Sequence, residues 1–138
     1  DRAAVVFCPR SQRWFRHRRY PLAEMLDRRI ALAVGTDSRA SSPDLNLWAE
    51  LQTIADGYPE VSLPQVLALG TAMGAAALGH LPPRGKLAIG APAILTFVGL
   101  ASGGGTPFAR LFDRRSWPVG RWLPGSDSLE PFSRSADR

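Results

Sequence analysis

Cysteine is nearly absent from this chain: Cys8 is the single one in 138 residues. An internal disulfide and a cysteine-rich zinc site are therefore both excluded. Histidine is almost as scarce, with only His17 and His80, and neither a His-x-His nor a His-Glu-x-x-His pattern occurs. The chain by itself cannot supply the three or more protein ligands that a zinc site normally needs. Long apolar runs are missing too, because Gly, Pro or Arg breaks each one before the roughly 18 residues of a membrane span. No membrane partner is expected. Gly103-Gly104-Gly105 lacks the Lys-Ser/Thr of a phosphate loop and the spacing of a dinucleotide fingerprint, so it reads as a linker.

What is present is a composition of 45% hydrophobic and 21% charged residues, that of a globular domain. The net charge is +5, and of the 17 basic residues only Lys86 is a lysine. Arg10, Arg13, Arg16, Arg18 and Arg19 fall in one stretch, interleaved with Trp14, Phe15, His17 and Tyr20. That mixture suits phosphate backbones and stacked bases, which makes a nucleic-acid or polyanion module one reading. The other is a solvated arginine-rich surface, since Arg28, Arg29, Arg110, Arg114, Arg115 and Arg121 lie well outside the cluster. Nucleic acid is not the favoured partner.

Ala3 to Cys8 is a short apolar run closed by Pro9, suited to a strand buried on both faces. Residues 10 to 20 read as a polar, aromatic-rich loop. Pro21 suits the first position of a helix carrying Leu22, Met25, Leu26 and Arg29, and Ile30 to Val34 is a second strand that stops at Gly35-Thr36-Asp37-Ser38. Strand, loop, helix and strand in this order predict a βαβ unit with parallel strands. Ser42-Pro43-Asp44 offers a cap to a helix bearing Leu47, Trp48, Leu51, Ile54 and Ala55. Ser62-Leu63-Pro64-Gln65 is a capping-box sequence before a helix striped by Val66, Leu69, Met73 and Ala77. A β-prone stretch, Ile94 to Val98, follows among turn residues, and the last fifteen residues from Pro124 are expected to be disordered.

Asp37 is the sharpest candidate for chemistry. It follows the carboxyl end of a strand, where α/β sheets carry their sites, and a carboxylate there can ligate a metal and take a proton from bound water. The competing reading is a turn cap made with Ser38. His17, in the loop after the first strand, is a candidate proton donor or substrate contact, or else a solvated histidine. Arg10 and Ser11 are similarly placed and could hold a polar or anionic group. Cys8 reads as a small core residue, and His80 as a partner of a helix C-terminus.

Taken together, several segments resemble one family. Val5-Val6-Phe7-Cys8-Pro9-Arg10-Ser11, Pro21-Leu22 through Leu26, and Val34-Gly35-Thr36-Asp37-Ser38 with Ala40-Ser41-Ser42 and Leu45 are similar to the last two strands of the metal-dependent amidohydrolase barrel, in the branch of chlorohydrolases and nucleoside-type deaminases. Thr71-Ala72-Met73-Gly74-Ala75-Ala76-Ala77-Leu78-Gly79 resembles the helix that follows that barrel. Gly85-Lys86-Leu87-Ala88-Ile89-Gly90, with Ala93 and Leu95, resembles the re-entry into the small β-domain beside it.

The resemblance implies an α/β fold, the C-terminal part of a (β/α)8 barrel over residues 1–81, a strand of the small β-domain over 82–100, and an irregular, partly disordered tail over 101–138. It implies that Asp37 contacts the catalytic metal, zinc or iron, and serves as base toward metal-bound water. Arg10, Ser11, His17 and Ser38 would lie near a small-molecule substrate, a nucleoside-like or other heterocycle that loses ammonia or halide. Ala93-Ile94-Leu95 departs from the family's usual Ala-Asp-Leu, so a structural aspartate is missing there. The family's histidine ligands have no counterpart, and such a barrel takes on the order of 250 residues. The expectation is therefore a C-terminal portion of a cytoplasmic hydrolase, inactive and without metal when alone. Its open strand edges would make it prone to association, and the parent could be a homo-oligomer.

Overall fold

The computed structural model describes residues 3–80 and 84–132, and divides into two compact units, Asp1–Lys86 and Leu87–Arg138. Each is mixed or β in character, and each has its own logic.

In the first unit, β1 (Val5–Phe7) and β2 (Leu32–Val34) pair in parallel, with Val5 opposite Leu32, Val6 opposite Ala33 and Phe7 opposite Val34. Two further bonds extend the ladder, Val5 N–H to the Ala31 carbonyl at 2.8 Å and Gly35 N–H to the Phe7 carbonyl at 3.0 Å. Between the strands lie α1 (Pro9–Trp14) and α2 (Leu22–Asp27), so the βαβ expectation is met. The helices α3 (Leu47–Gly57), α4 (Leu63–Gly70) and α5 (Ala72–Ala77) all pack against β2, whose three residues are buried. Leu22, Ile54, Val66 and Leu69 complete this core. For β1 the expectation of burial on both faces fails: Val5 and Val6 are exposed and only Phe7 is buried, because the helix layer sits on β2.

Several boundaries differ from the sequence reading, each for a tertiary or capping reason. The stretch expected as a loop after β1 begins as α1: Pro9 supplies a helical φ at the first position, and the Glu50 carboxylate, forty residues away, accepts the Arg10 N–H. The helix closes on Arg16 in the left-handed region (φ 53°), where Arg16 N–H bonds the Arg13 carbonyl and His17 N–H the Gln12 carbonyl. Ile30 is lost from β2 because its N–H closes α2 in the same way, on the Met25 carbonyl. Pro21 is the N-cap of α2 and not its first residue. Asn46 caps α3 by accepting the Ala49 N–H, which frees Ser42 for a buried position.

The capping box at Ser62 forms, with Gln65 Oε1 accepting from the Ser62 N–H at 3.1 Å. Its helix does not run on through Ala77. At Thr71 the backbone leaves the helical region (φ −124°, ψ −97°), giving α4 and α5 as separate elements. Gly85 approaches this break so closely that a Cβ there would lie 2.5 Å from the Thr71 carbonyl carbon, in a conformation (φ +77°) that already favours glycine.

In the second unit β3 (Leu95–Gly99), β4 (Trp117–Trp122) and β5 (Glu130–Pro131) form an antiparallel sheet in that order, with a bulge between Phe97 and Val98. The short helix α6 (Pro107–Leu111) is capped by Thr106, which accepts the Ala109 N–H. Ser116, buried, ties the loop ends together by accepting the Ala101 N–H at 2.7 Å and donating to the Arg110 carbonyl at 2.6 Å. The irregular region expected over 101–138 is thus replaced, between 107 and 131, by α6, β4 and β5. Pro118 and Gly120 mask any alternation in β4, and its strand form comes from pairing with β3. Of the fifteen final residues expected to be disordered, 124–132 are described and include β5, whereas 133–138 lie outside the described residues, as does the 81/82 boundary.

Candidate active site

Asp37 stands three residues beyond β2, at the carboxyl end of a buried parallel strand. Its backbone is left-handed (φ 58°), which Asp tolerates better than most residues. Immediately after it, the Ser38 carbonyl accepts the N–H groups of Ser41 at 3.2 Å and Ser42 at 2.9 Å. That turn folds Ser41 back onto Asp37.

Two buried hydroxyls meet the carboxylate on the same oxygen. Ser11 Oγ, from the first turn of α1, donates to Asp37 Oδ2 at 2.6 Å, and Ser41 Oγ donates to it at 3.0 Å. The two serine oxygens are 2.9 Å apart. A hydroxyl carries one proton, so with both protons on Oδ2 the serines bracket the carboxylate and share no bond between themselves. Ser11 is the chief cause, ahead of Ser41 and the Ser38 backbone, of an Asp37 pKa held below the usual carboxylate range. The carboxylate is therefore ionised, oriented, and still exposed to solvent on its other side.

In front of it opens a cleft of about 660 Å³, whose lining includes Cys8, Ser11, Phe15, His17 and Arg18 besides Asp37. Phe7 and Tyr20 line it as well, stacked with centroids 4.3 Å apart, and Tyr58 meets Phe7 edge-on at 5.8 Å. His17 packs near Phe15, 5.8 Å between rings. Burial, then the Asp37 charge, pushes the Cys8 thiol up, which keeps it a thiol and a poor nucleophile.

Of the candidates named from the sequence, Asp37, Ser11 and His17 come together at this cleft. Arg10 does not. Its guanidinium pairs with Asp44 at 2.6 Å and with Glu50 at 3.8 Å, behind α1. Ser38 serves the turn, accepting the Ala40 N–H on its hydroxyl. Ser41, Ser42 and Glu50 are not among the site candidates named from the sequence. Glu50 had a visible signal: it falls three residues after Leu47 and four before Ile54, on the apolar stripe of α3, where a carboxylate has to be satisfied.

Residues 1–122 match the amidohydrolase family. The chain belongs to that family. It is 38% identical over 107 residues to the 5-methylthioadenosine/S-adenosylhomocysteine deaminase of Nitratidesulfovibrio vulgaris, covering 72% of this chain and 24% of the relative. It is 35% identical over 94 residues to the 5'-deoxyadenosine deaminase of Methanosarcina barkeri, covering 63% and 21%. These relatives set it in the nucleoside-deaminase branch of the family. The chain spans about a quarter of the length of the curated relatives it matches. Its fold is like that of an adenosine deaminase from Xanthomonas campestris solved with bound zinc, at a TM-score of 0.75 and 24% identity, over 87% of this chain and 30% of that one.

The adenosine deaminase it resembles in fold was solved with bound zinc, and Asp37 has the chemistry to offer a divalent metal one ligand oxygen. It is an ionised, exposed carboxylate whose two serine donors are both confined to Oδ2. Among the described residues, no three His, Cys, Asp or Glu side chains gather into a metal site.

Proposed function

We propose that this chain is the C-terminal portion of a (β/α)8-barrel amidohydrolase, holding the last two strands and the helices after them, followed by part of the small β-domain. The reaction would be hydrolytic deamination of a small nucleoside-like heterocycle. Loss of halide from a related ring is the secondary form. The observation that carries this reading is the Asp37 carboxylate, set in a left-handed turn past a buried parallel strand, bracketed by Ser11 and Ser41, with a cleft before it. Asp37 would be one of the residues holding a divalent cation, zinc or iron, which would supply Lewis acidity.

The chain's own residues do the rest. Asp37 offers one ligand oxygen and a site for the proton removed from water. Ser11 and Ser41 fix its orientation through Oδ2. His17 and Phe15 border the space a flat heterocycle would occupy. Arg10 and Ser38 build the site without touching substrate. The polyanion reading stands second, because Arg10 and Arg19 already spend their charge on Asp44, Glu50 and Glu60, and Arg19 also covers the Tyr58 ring at 4.7 Å.

The test is complementation. The chain is expressed alone and together with the first three quarters of the N. vulgaris deaminase, and zinc content and ammonia release from 5-methylthioadenosine are measured. The expected result is neither zinc nor turnover from the chain alone, and turnover from the pair that Asp37→Asn abolishes. Stoichiometric zinc retained by the chain alone and lost in Asp37→Ala would contradict the incomplete-site reading. The exposed Val5 and Val6 of β1 also predict self-association. Sedimentation as a monomer, with a cooperative melt above about 60 °C, speaks against it.

A further inference from the structure

Glu50 is the most deeply buried charged side chain among the described residues, with none of its surface exposed, and nothing in the proposed chemistry uses it. Its partners are specific. Oε2 accepts the Arg10 N–H at 2.8 Å, and Oε1 accepts the Ser42 hydroxyl at 3.3 Å and lies 3.8 Å from the Arg10 guanidinium. Each of the two residues it holds is the immediate chain neighbour of a residue that holds Asp37. Arg10 precedes Ser11 in the first turn of α1, and Ser42 follows Ser41 in the turn after β2. A carboxylate on α3 thus grips two segments that have no covalent proximity to each other, and both segments place a hydroxyl on Asp37 Oδ2.

We infer that Glu50 is the positioning residue of Asp37, locking α1 and the 38–42 turn together so that Ser11 and Ser41 converge on one carboxylate oxygen. The physical case has two parts. A buried carboxylate is costly unless its oxygens are satisfied, and these oxygens are satisfied almost wholly by the two segments in question. The N-terminal turn of α1 also has no side-chain cap of its own, since Cys8 makes none, so the Arg10 N–H depends on Glu50. The local turn at Ser38 brings Ser41 near Asp37, but it does not tie that turn to α1, and Glu50 does. The importance of holding Asp37 rests on the reading of that residue given above, but the hold itself is a matter of geometry and is measurable without turnover.

The experiment reads side-chain χ1 couplings of Ser11, Asp37 and Ser41 by NMR in the full 138-residue chain. In the unsubstituted chain each should occupy one rotamer. Glu50→Ala should average all three, and Glu50→Gln, whose amide oxygen still accepts the Arg10 N–H, should restore Ser11. Leu51→Ala, next to Glu50 on α3 but in the apolar core, should lower the melting temperature and leave the three couplings alone. If Glu50→Ala does not fold, Ser42→Ala reads one arm by itself: Ser41 should average while Ser11 stays fixed. A single Asp37 rotamer in folded Glu50→Ala, equal averaging in Leu51→Ala, or an unmoved Ser41 in Ser42→Ala would each overturn the inference. Failure of complementation with these couplings intact would strike the deaminase reading instead.

Discussion

Ser11 and Asp37, 26 residues apart in the chain, are joined by a 2.6 Å hydrogen bond between a buried hydroxyl on α1 and a carboxylate beyond β2. This bond crosses the βαβ unit at the end where parallel strands present their sites. It fixes the direction of the one carboxylate in the cleft.

Ser11→Ala should raise the pKa of Asp37 toward its ordinary value of 3.8, because Ser11 is the largest cause of the depression and Ser41 would remain. The folded-state value lies below the unfolded one, so this carboxylate adds stability above the unfolded value and loses it as pH falls through the folded one. The stability this carboxylate adds should thus be smaller in the variant, and its loss complete at a higher pH. Carboxyl 13C titration checks it, and an unchanged midpoint would show that the hydroxyl does not act on the carboxylate.

Arg16→Gly should stabilise the first unit. Arg16 holds φ 53° at the end of α1, and a left-handed conformation costs a residue with a Cβ about 1 kcal/mol. Glycine there also loses more entropy on folding, so the net gain should be a few tenths to about 1 kcal/mol, read as a rise in urea midpoint with unchanged slope.

Gly70→Ala should destabilise the contact between α3 and α4 by about 1–3 kcal/mol, the range for overpacking. A Cβ at Gly70 would come within 2.7 Å of the Leu51 Cδ1, and Leu51 is buried. In a double-mutant cycle Leu51→Ala should cost less in the Gly70→Ala background than alone. Strict additivity of the two changes would rule out the clash as the cause.

Asp113 is held down to about 2 chiefly by hydrogen bonds from Arg115, whose guanidinium contacts both carboxylate oxygens at 2.9 and 2.7 Å. Its contribution to stability is present above about 3.8 and disappears as pH falls toward 2. Arg115→Gln should return the Asp113 midpoint upward, measured by the same carboxyl titration. The pair is exposed, so little change in melting temperature is expected at neutral pH.

The legible part of the fold was the part carried by local pattern. The parallel pair, α2, the stripe of α3, the capping box at Ser62 and the strand near residue 95 all follow from spacing and turn residues, and Asp37 follows from its place after a strand and Gly35. Glu50 was on view in the stripe of α3, yet its meaning was not, because its partners Arg10 and Ser42 lie forty and eight residues away. The break at Thr71 was likewise hidden: nothing near it departs from helical spacing, and the close approach of Gly85 is a tertiary event.

By itself, then, the amino-acid sequence determined that there is a βαβ unit with a carboxylate just past the carboxyl end of its second strand, and that histidine and cysteine are scarce. Those properties depend on residue type and short-range order, which a linear chain displays directly. Only the tertiary structure decided which polar groups serve that carboxylate, sending Ser11 and Ser41 to Asp37 and withdrawing Arg10 to Asp44 and Glu50. The reason is physical: a buried polar group must find a partner, and in a folded chain that partner is chosen by proximity in space.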